Sequence, residues 1–154
     1  MMDKIGLYCS AIRPHLWMNL YNNLKNTNKS EFEIMFVGNV IPEFELPPNM
    51  KFIYSNVKPA QCWYIAATRV DGDYLINVAD DLLFSDGALD DILRTFKKQT
   101  RQENLFVGPL YMRDEIVELG PLPVCSFMKR ETWDGFGIDN IFSTKYCSSS
   151  NELC

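Results

Sequence analysis

The chain predicts an α/β fold built on a mostly parallel sheet, and three observations carry that reading. Short apolar runs of strand type alternate with amphipathic stretches. A strand, a helix and a second strand fit between Lys4 and Val37, a βαβ spacing that implies a parallel pair. Tyr74, Leu75, Ile76 and Val78 form a near-continuous apolar run, the mark of a strand buried on both faces. That run leads straight into Asp80 and Asp81, at the strand end where ligand crevices open in such sheets.

The elements follow in order. Lys4 to Cys9 is the first strand, and Ser10 to Arg13 turns out of it. Pro14 suits the first position of a helix, where its missing N–H costs nothing. Trp17, Leu20, Tyr21 and Leu24 then share one helical face until Asn26–Ser30 ends it. Phe32 to Val37 is a second strand closed by Gly38 and Asn39, and Lys51 to Ser55 a third, after a proline-rich connection. Pro59 to Arg69 reads as a helix, and the acid-tipped strand follows. Ser85 or Asp86 is the expected cap of a helix with Leu89, Ile92, Leu93 and Phe96 inward. Leu105–Met112 and Ile116–Leu119 are expected to form a hairpin, and Lys129–Asp134 a short helix.

Length and composition narrow the function. At 154 residues, 47% apolar or aromatic, residues 1–154 make a single domain able to bury a core. A net charge of −5 without a basic run argues against nucleic acid and against a polybasic membrane patch. No stretch reaches the length of a membrane span. The five cysteines form no CxxC pair, and Asp3 arrives before any apolar leader, so a cytoplasmic chain with reduced thiols is expected.

Three loops at strand ends hold the candidate site residues. Ser10, Ala11 and Arg13 lie in the first, with Arg13 suited to a phosphate or equally to solvent. Gly38 permits close backbone approach, and Asn39 offers both a donor and an acceptor. Asp80 and Asp81 repel each other unless a cation or hydrogen bonds compensate, and an oxygen-seeking divalent metal that clamps a diphosphate would do so. The plainer alternative is that the doublet only ends the strand. His15, the sole histidine, reads as a surface residue. Trp133 and Phe136 read as core aromatics, with a sugar shelf beside Gly135 and Gly137 as the functional alternative. Neither GxGxxG nor GxxxxGK[ST] occurs.

From Pro59 to Leu89 the pattern PAxCxYIAAxxxxGDYLxxxADDLxFSDGAL resembles the nucleotide-sugar-binding core of inverting GT-A glycosyltransferases of the family 2 type. Phe127–Trp133, Gly135–Asp139 and Ser150–Cys154 resemble that family's R-R-x-x-W, G-G-F-D and D-x-E-L-C segments. The resemblance implies a Rossmann-like GT-A fold, a mostly parallel mixed sheet flanked by helices. It implies a metal-dependent glycosyltransferase that moves a sugar from a nucleoside-diphosphate donor, most often UDP-linked, to an acceptor hydroxyl. Mn²⁺ or Mg²⁺ would sit on Asp81, helped by Asp80, at the DxD position. Ser10, Ala11, Arg13, Asn39, Lys58 and Asp80 would hold the donor, and Lys58 or Arg130 would add positive charge.

Ala79 replaces the first acid of the family's DxD, and Ser150 stands where its base aspartate is expected. Glu152 and Asp139 are the nearest acids able to substitute as base. The usual acceptor-side extension is lacking, which sets the expectation of a homo-oligomer or partner chain completing the site. A non-catalytic sugar-nucleotide-binding module and a nucleotidyltransferase are the alternative readings.

Overall fold

The computed structural model describes residues 3–99, 110–113, 116–119 and 127–135. Its centre is a five-stranded sheet in the order β3-β2-β1-β4-β7. The strands are β1 (Lys4–Ser10), β2 (Glu31–Gly38), β3 (Met50–Tyr54), β4 (Tyr74–Asn77) and β7 (Phe127–Lys129). The first four run parallel, and β7 pairs antiparallel with β4. The expected hairpin is present as β5 (Leu110–Arg113) against β6 (Ile116–Leu119).

Alternation along β1 sorts the core into two layers. Ile5, Leu7 and Cys9 face α1 (Trp17–Thr27) and α3 (Ala88–Lys97), where Leu20, Leu24, Leu89 and Phe96 are buried. Tyr8 faces the other way, onto α2 (Pro59–Arg69), and Trp133 of α4 (Arg130–Asp134) packs on it at 5.3 Å between ring centroids. Trp133 is therefore a core residue, the plainer of its two readings. Trp17 stacks on Phe36 with centroids 4.1 Å apart and planes 5° from parallel. Full burial of each such side chain is worth about 1.5–3 kcal/mol.

Two local expectations change. Pro14 opens a short 3₁₀ turn, Pro14–Leu16, before α1 begins at Trp17. Neither Ser85 nor Asp86 caps α3: Gly87 takes that place with φ 74°, a conformation natural to glycine. The helix is capped from α1 instead. Asn28 Oδ1 accepts from Leu89 N at 2.9 Å and Asp90 N at 3.2 Å. Asp90 returns the favour by accepting from Lys29 N and Ser30 N, both at 2.8 Å. Burial alone would raise the Asp90 carboxyl, but a hydrogen bond from the Ser30 hydroxyl, together with these amide bonds, outweighs it and holds its pKa below the ordinary value.

The strand order places the crevice. From β1 the chain steps outward through β2 and β3, then crosses to the other side of β1 for β4. The order reverses between β1 and β4, and ligands of open α/β sheets bind outside the carboxyl ends at such a point.

Candidate functional site

The loops after β1, β2 and β4 meet at that reversal. Ala11 N donates to Val37 O at 3.0 Å, so the turn after β1 lies on the end of β2. Only glycine fits at 38, because a Cβ there would stand 1.9 Å from Ala11 O. Val78 N donates to Tyr8 O at 3.0 Å, extending the β4 ladder, and the chain then turns through Ala79–Leu82. Asn23 of α1 pins the following segment through paired bonds with the Phe84 backbone, at 2.9 and 2.7 Å.

Asp80 closes the gap between β4 and β1. Its side chain is 2% exposed. Oδ2 accepts from Ile12 N at 3.3 Å and Arg13 N at 2.9 Å. Oδ1 accepts from Arg13 Nε at 3.0 Å and Nη2 at 2.6 Å. Both oxygens are thus engaged by the turn after β1, and these bonds raise the Arg13 pKa further above its ordinary value. Asp81 differs. Its side chain is 50% exposed, and its Oδ2 lies 3.4 Å from Arg13 Nη1. The electrostatic problem of the doublet is met, in part, by Arg13.

The other expected donor-binding residues surround this pair. Ser10 ends β1 near Cys62, whose thiol donates to Val57 O at 3.6 Å and whose pKa is pushed up by burial, with Ser10 opposing the rise. Ala11 is buried under the turn. Asn39 is exposed, and its Nδ2 donates to Asn56 Oδ1 at 3.1 Å, tying the loops after β2 and β3. Lys58 heads α2, with its backbone N donating to Gln61 Oε1 at 3.1 Å. The large hydrophobic side chains that stand exposed among the described residues also follow the strands' carboxyl ends. They include Ile12, Ile41, Tyr54 and Leu83. Sequence reasoning missed Asn56, Asn23 and this apolar rim, because each is defined by a partner or an exposure that only the fold supplies.

Arg130 is placed elsewhere. Its Nε donates to Gly72 O at 2.9 Å, Nη1 to Ala67 O at 2.9 Å, and Nη2 to Val70 O. It caps the end of α2 at the amino edge of the sheet, so it adds no charge at the crevice. His15 is exposed. Glu152 and Asp139, with Phe136 and Gly137, lie outside the described residues.

The donor set tests the expected metal. Among the described residues, no three His, Cys, Asp or Glu side chains gather as a metal-binding group. With Asp80 engaged, Asp81 offers one half-exposed carboxylate. That fits a hard divalent ion held jointly with substrate phosphate oxygens and water, the usual manner of Mg²⁺, and not an all-protein cage. Among the same residues Cys9 and Cys62 are buried and belong to no disulfide, and no helix is long and apolar enough to cross a membrane.

Comparison with known proteins places the architecture. No family model matches the chain, and no curated protein sequence does. Residues 1–349 of TarS from S. aureus, in complex with UDP-GlcNAc, align with 99% of the chain at 12% identity and TM-score 0.65. The galactosyltransferase LgtC, with donor and acceptor sugar analogs, aligns with 99% at 11% identity and TM-score 0.57. The 4-diphosphocytidyl-2C-methyl-D-erythritol synthase of Anaerococcus prevotii aligns with 99% at 9% identity and TM-score 0.55. The chain spans 52% of the TarS structure, 66% of LgtC and 82% of the synthase. At these identities the likeness is one of fold, and that fold is the GT-A type.

Proposed function

We propose that this chain binds a nucleoside-diphosphate sugar, of the uridine type, at the carboxyl-terminal rim of its sheet and acts in glycosyl transfer. The observation that carries the reading is the junction of the β1 and β4 turns at the strand-order reversal, where Arg13 and Asp81 stand half-exposed side by side. Two of the solved structures with this fold carry UDP-GlcNAc or donor and acceptor sugar analogs.

Each residue then has a task. Ser10, Ala11 and Asn39 line the place for the base, and the Asn39–Asn56 pair presents amide donors and acceptors. Arg13 faces the diphosphate. Asp81 would hold Mn²⁺ or Mg²⁺, and the ion, when bound, would supply positive charge to neutralise the departing diphosphate. In transfer, an acceptor hydroxyl oxygen bonds to the anomeric carbon as the bond from that carbon to the diphosphate oxygen breaks. The hydroxyl proton passes to a carboxylate base, for which Glu152 and Asp139 remain the candidates. An acceptor side completed by another chain or a second copy belongs to the same proposal.

The fold likeness to a 4-diphosphocytidyl-2C-methyl-D-erythritol synthase, spanned to 82% of its length, favours nucleotidyl transfer as the second reading. A thermal-shift screen of nucleotides and sugar nucleotides, with and without Mn²⁺, separates the two. UDP or a UDP-sugar is expected to raise the Tm, by an increment equivalent to about 2.7 kcal/mol at a hundredfold excess over Kd. Asp81→Ala is expected to abolish the dependence of that shift on metal. Stabilisation by a nucleoside triphosphate, with pyrophosphate released on adding an acceptor, would replace the reading with nucleotidyl transfer. Donor binding without transfer or hydrolysis at long times would mark a binding module.

A further inference from the structure

We infer that the acidic doublet divides its labour. Asp80 is a positioning residue that orients Arg13 to grip the diphosphate, and Asp81 is the one carboxylate left to the ligand side. This rests on the donor-binding reading and goes beyond it by separating the roles of two adjacent aspartates. The geometry is specific. Asp80 is buried and spends both oxygens on Ile12 and Arg13, through two backbone amides and two guanidinium nitrogens. A guanidinium has five N–H bonds. Asp80 takes one from Nε and one from Nη2, and Nη1 approaches Asp81. The remaining N–H bonds sit on a side chain that is 45% exposed, at the switch point between β1 and β4.

A lone surface arginine is free to swing, and its charge is spread over many rotamers. Here three of its nitrogens, counting the backbone N, are fixed to one immobile carboxylate. The fork is held flat, which suits two-point contact with phosphate oxygens. Charge counting gives Asp81 its separate part. Arg13 balances Asp80, so Asp81 is left with a net negative charge beside the place of the diphosphate. A divalent cation on Asp81 would make that juxtaposition favourable. Ala79 before the doublet has no charge, and Asp80 turns inward, which leaves Asp81 half-exposed at the rim.

The experiment compares UDP with uridine by titration calorimetry at constant Mn²⁺, on the whole chain and on Arg13→Gln, Arg13→Lys and Asp80→Asn. The readout is the ratio of the two affinities, since only UDP has the diphosphate. Arg13→Gln is expected to weaken UDP about tenfold or more, the worth of a charged hydrogen-bonded contact, and to leave uridine within about twofold. Asp80→Asn is expected to reduce the same ratio, and Arg13→Lys to restore it only in part, since an ammonium cannot keep the fork. If Arg13→Gln does not fold, Arg13→Lys keeps the charge beside Asp80 and reads the same ratio. An unchanged ratio in the folded Arg13 variants, or an equal loss of UDP and uridine in all three, overturns the inference and leaves donor binding standing. If the unaltered chain binds neither UDP nor uridine, the donor-binding reading falls as well.

Discussion

The two edges of the central sheet are built from the same residue types and are finished in opposite ways. At the amino edge, the chain before β4 lies against the start of β1. A Cβ on Gly72 would stand 2.4 Å from Gly6 N, and Lys4 N donates to Asp73 Oδ2 at 3.1 Å. Arg130 spends its guanidinium on three backbone carbonyls there. At the carboxyl edge, Arg13 and Asp81 remain half-exposed, and large apolar side chains such as Ile12, Ile41 and Leu83 face solvent. One edge satisfies itself and the other leaves capacity unspent. Unspent capacity of this kind is what a ligand site needs, and it carries a cost in stability that the closed edge offsets.

A matched pair of substitutions breaks the comparison most sharply. Gly72→Ala and Gly38→Ala each drive a Cβ into backbone, at 2.4 Å from Gly6 N and 1.9 Å from Ala11 O. Neither neighbour can rotate away. Gly72→Ala is expected to cost about 3 kcal/mol or more in urea unfolding, at the upper end for overpacking. Gly38→Ala pushes the turn that carries Arg13, so it is expected to lower nucleotide affinity beyond what its loss of stability explains. Equal effects of the two on affinity, at temperatures where both are folded, would erase the distinction between the edges.

The arginines give the next test. Arg130→Met keeps the apolar stem and leaves three carbonyls without their donor, an expected loss of about 2–3 kcal/mol in unfolding free energy. UDP affinity is expected to stay within about twofold, since those carbonyls lie at the far edge from Asp80. Arg13→Gln is expected to show the reverse weighting. A drop in UDP affinity for folded Arg130→Met would bring that arginine back to the site.

The contrast also shows what the sequence could convey. Apolar runs located β1, β2 and β4, because burial on both faces leaves a pattern in consecutive residues. Pro59 and the pattern of Cys62, Ile65 and Ala66 marked α2 to the residue, with Cys62 and Ala66 buried and Ile65 only partly so. The acids at the end of β4 were visible for the same local reason. Their partner was not, because Arg13 and Asp80 stand 67 positions apart and meet only through the β1–β4 pairing. Arg13 and Arg130 are alike as letters, and only the fold shows that one caps a helix while the other borders a crevice. The cap of α3 was misplaced for a related reason: Asn28, just past the end of α1, occupies the role that Ser85 or Asp86 suggested locally.

The smallest effect lies at the amino edge, in the surface pair Lys4–Asp71, with Nζ to Oδ2 at 2.8 Å. The hydrogen bond from Lys4 and its charge lower the Asp71 pKa below 3.8. A carboxyl whose folded pKa is depressed binds protons more readily in the unfolded chain. Its contribution is therefore complete above about pH 4 and is lost as pH falls through the lower, folded value. Lys4 works in the other direction: its pKa is raised above 10.5, chiefly by the same hydrogen bond, so its share fades only as alkaline pH passes that value. Because the Asp71 side chain is 72% exposed, solvent screens the pair, and its worth falls within the range of about 0–1 kcal/mol for surface ion pairs. Asp71→Asn is accordingly expected to lower stability by less than about 1 kcal/mol at neutral pH, with the difference from the unaltered chain vanishing in acid. Urea unfolding at pH 7 and along a descending acid series reads the plateau and the loss. A difference that grows toward pH 3 would mean that Asp71 is strained in its charged form, and that the amino edge is less self-satisfied than its hydrogen bonds imply.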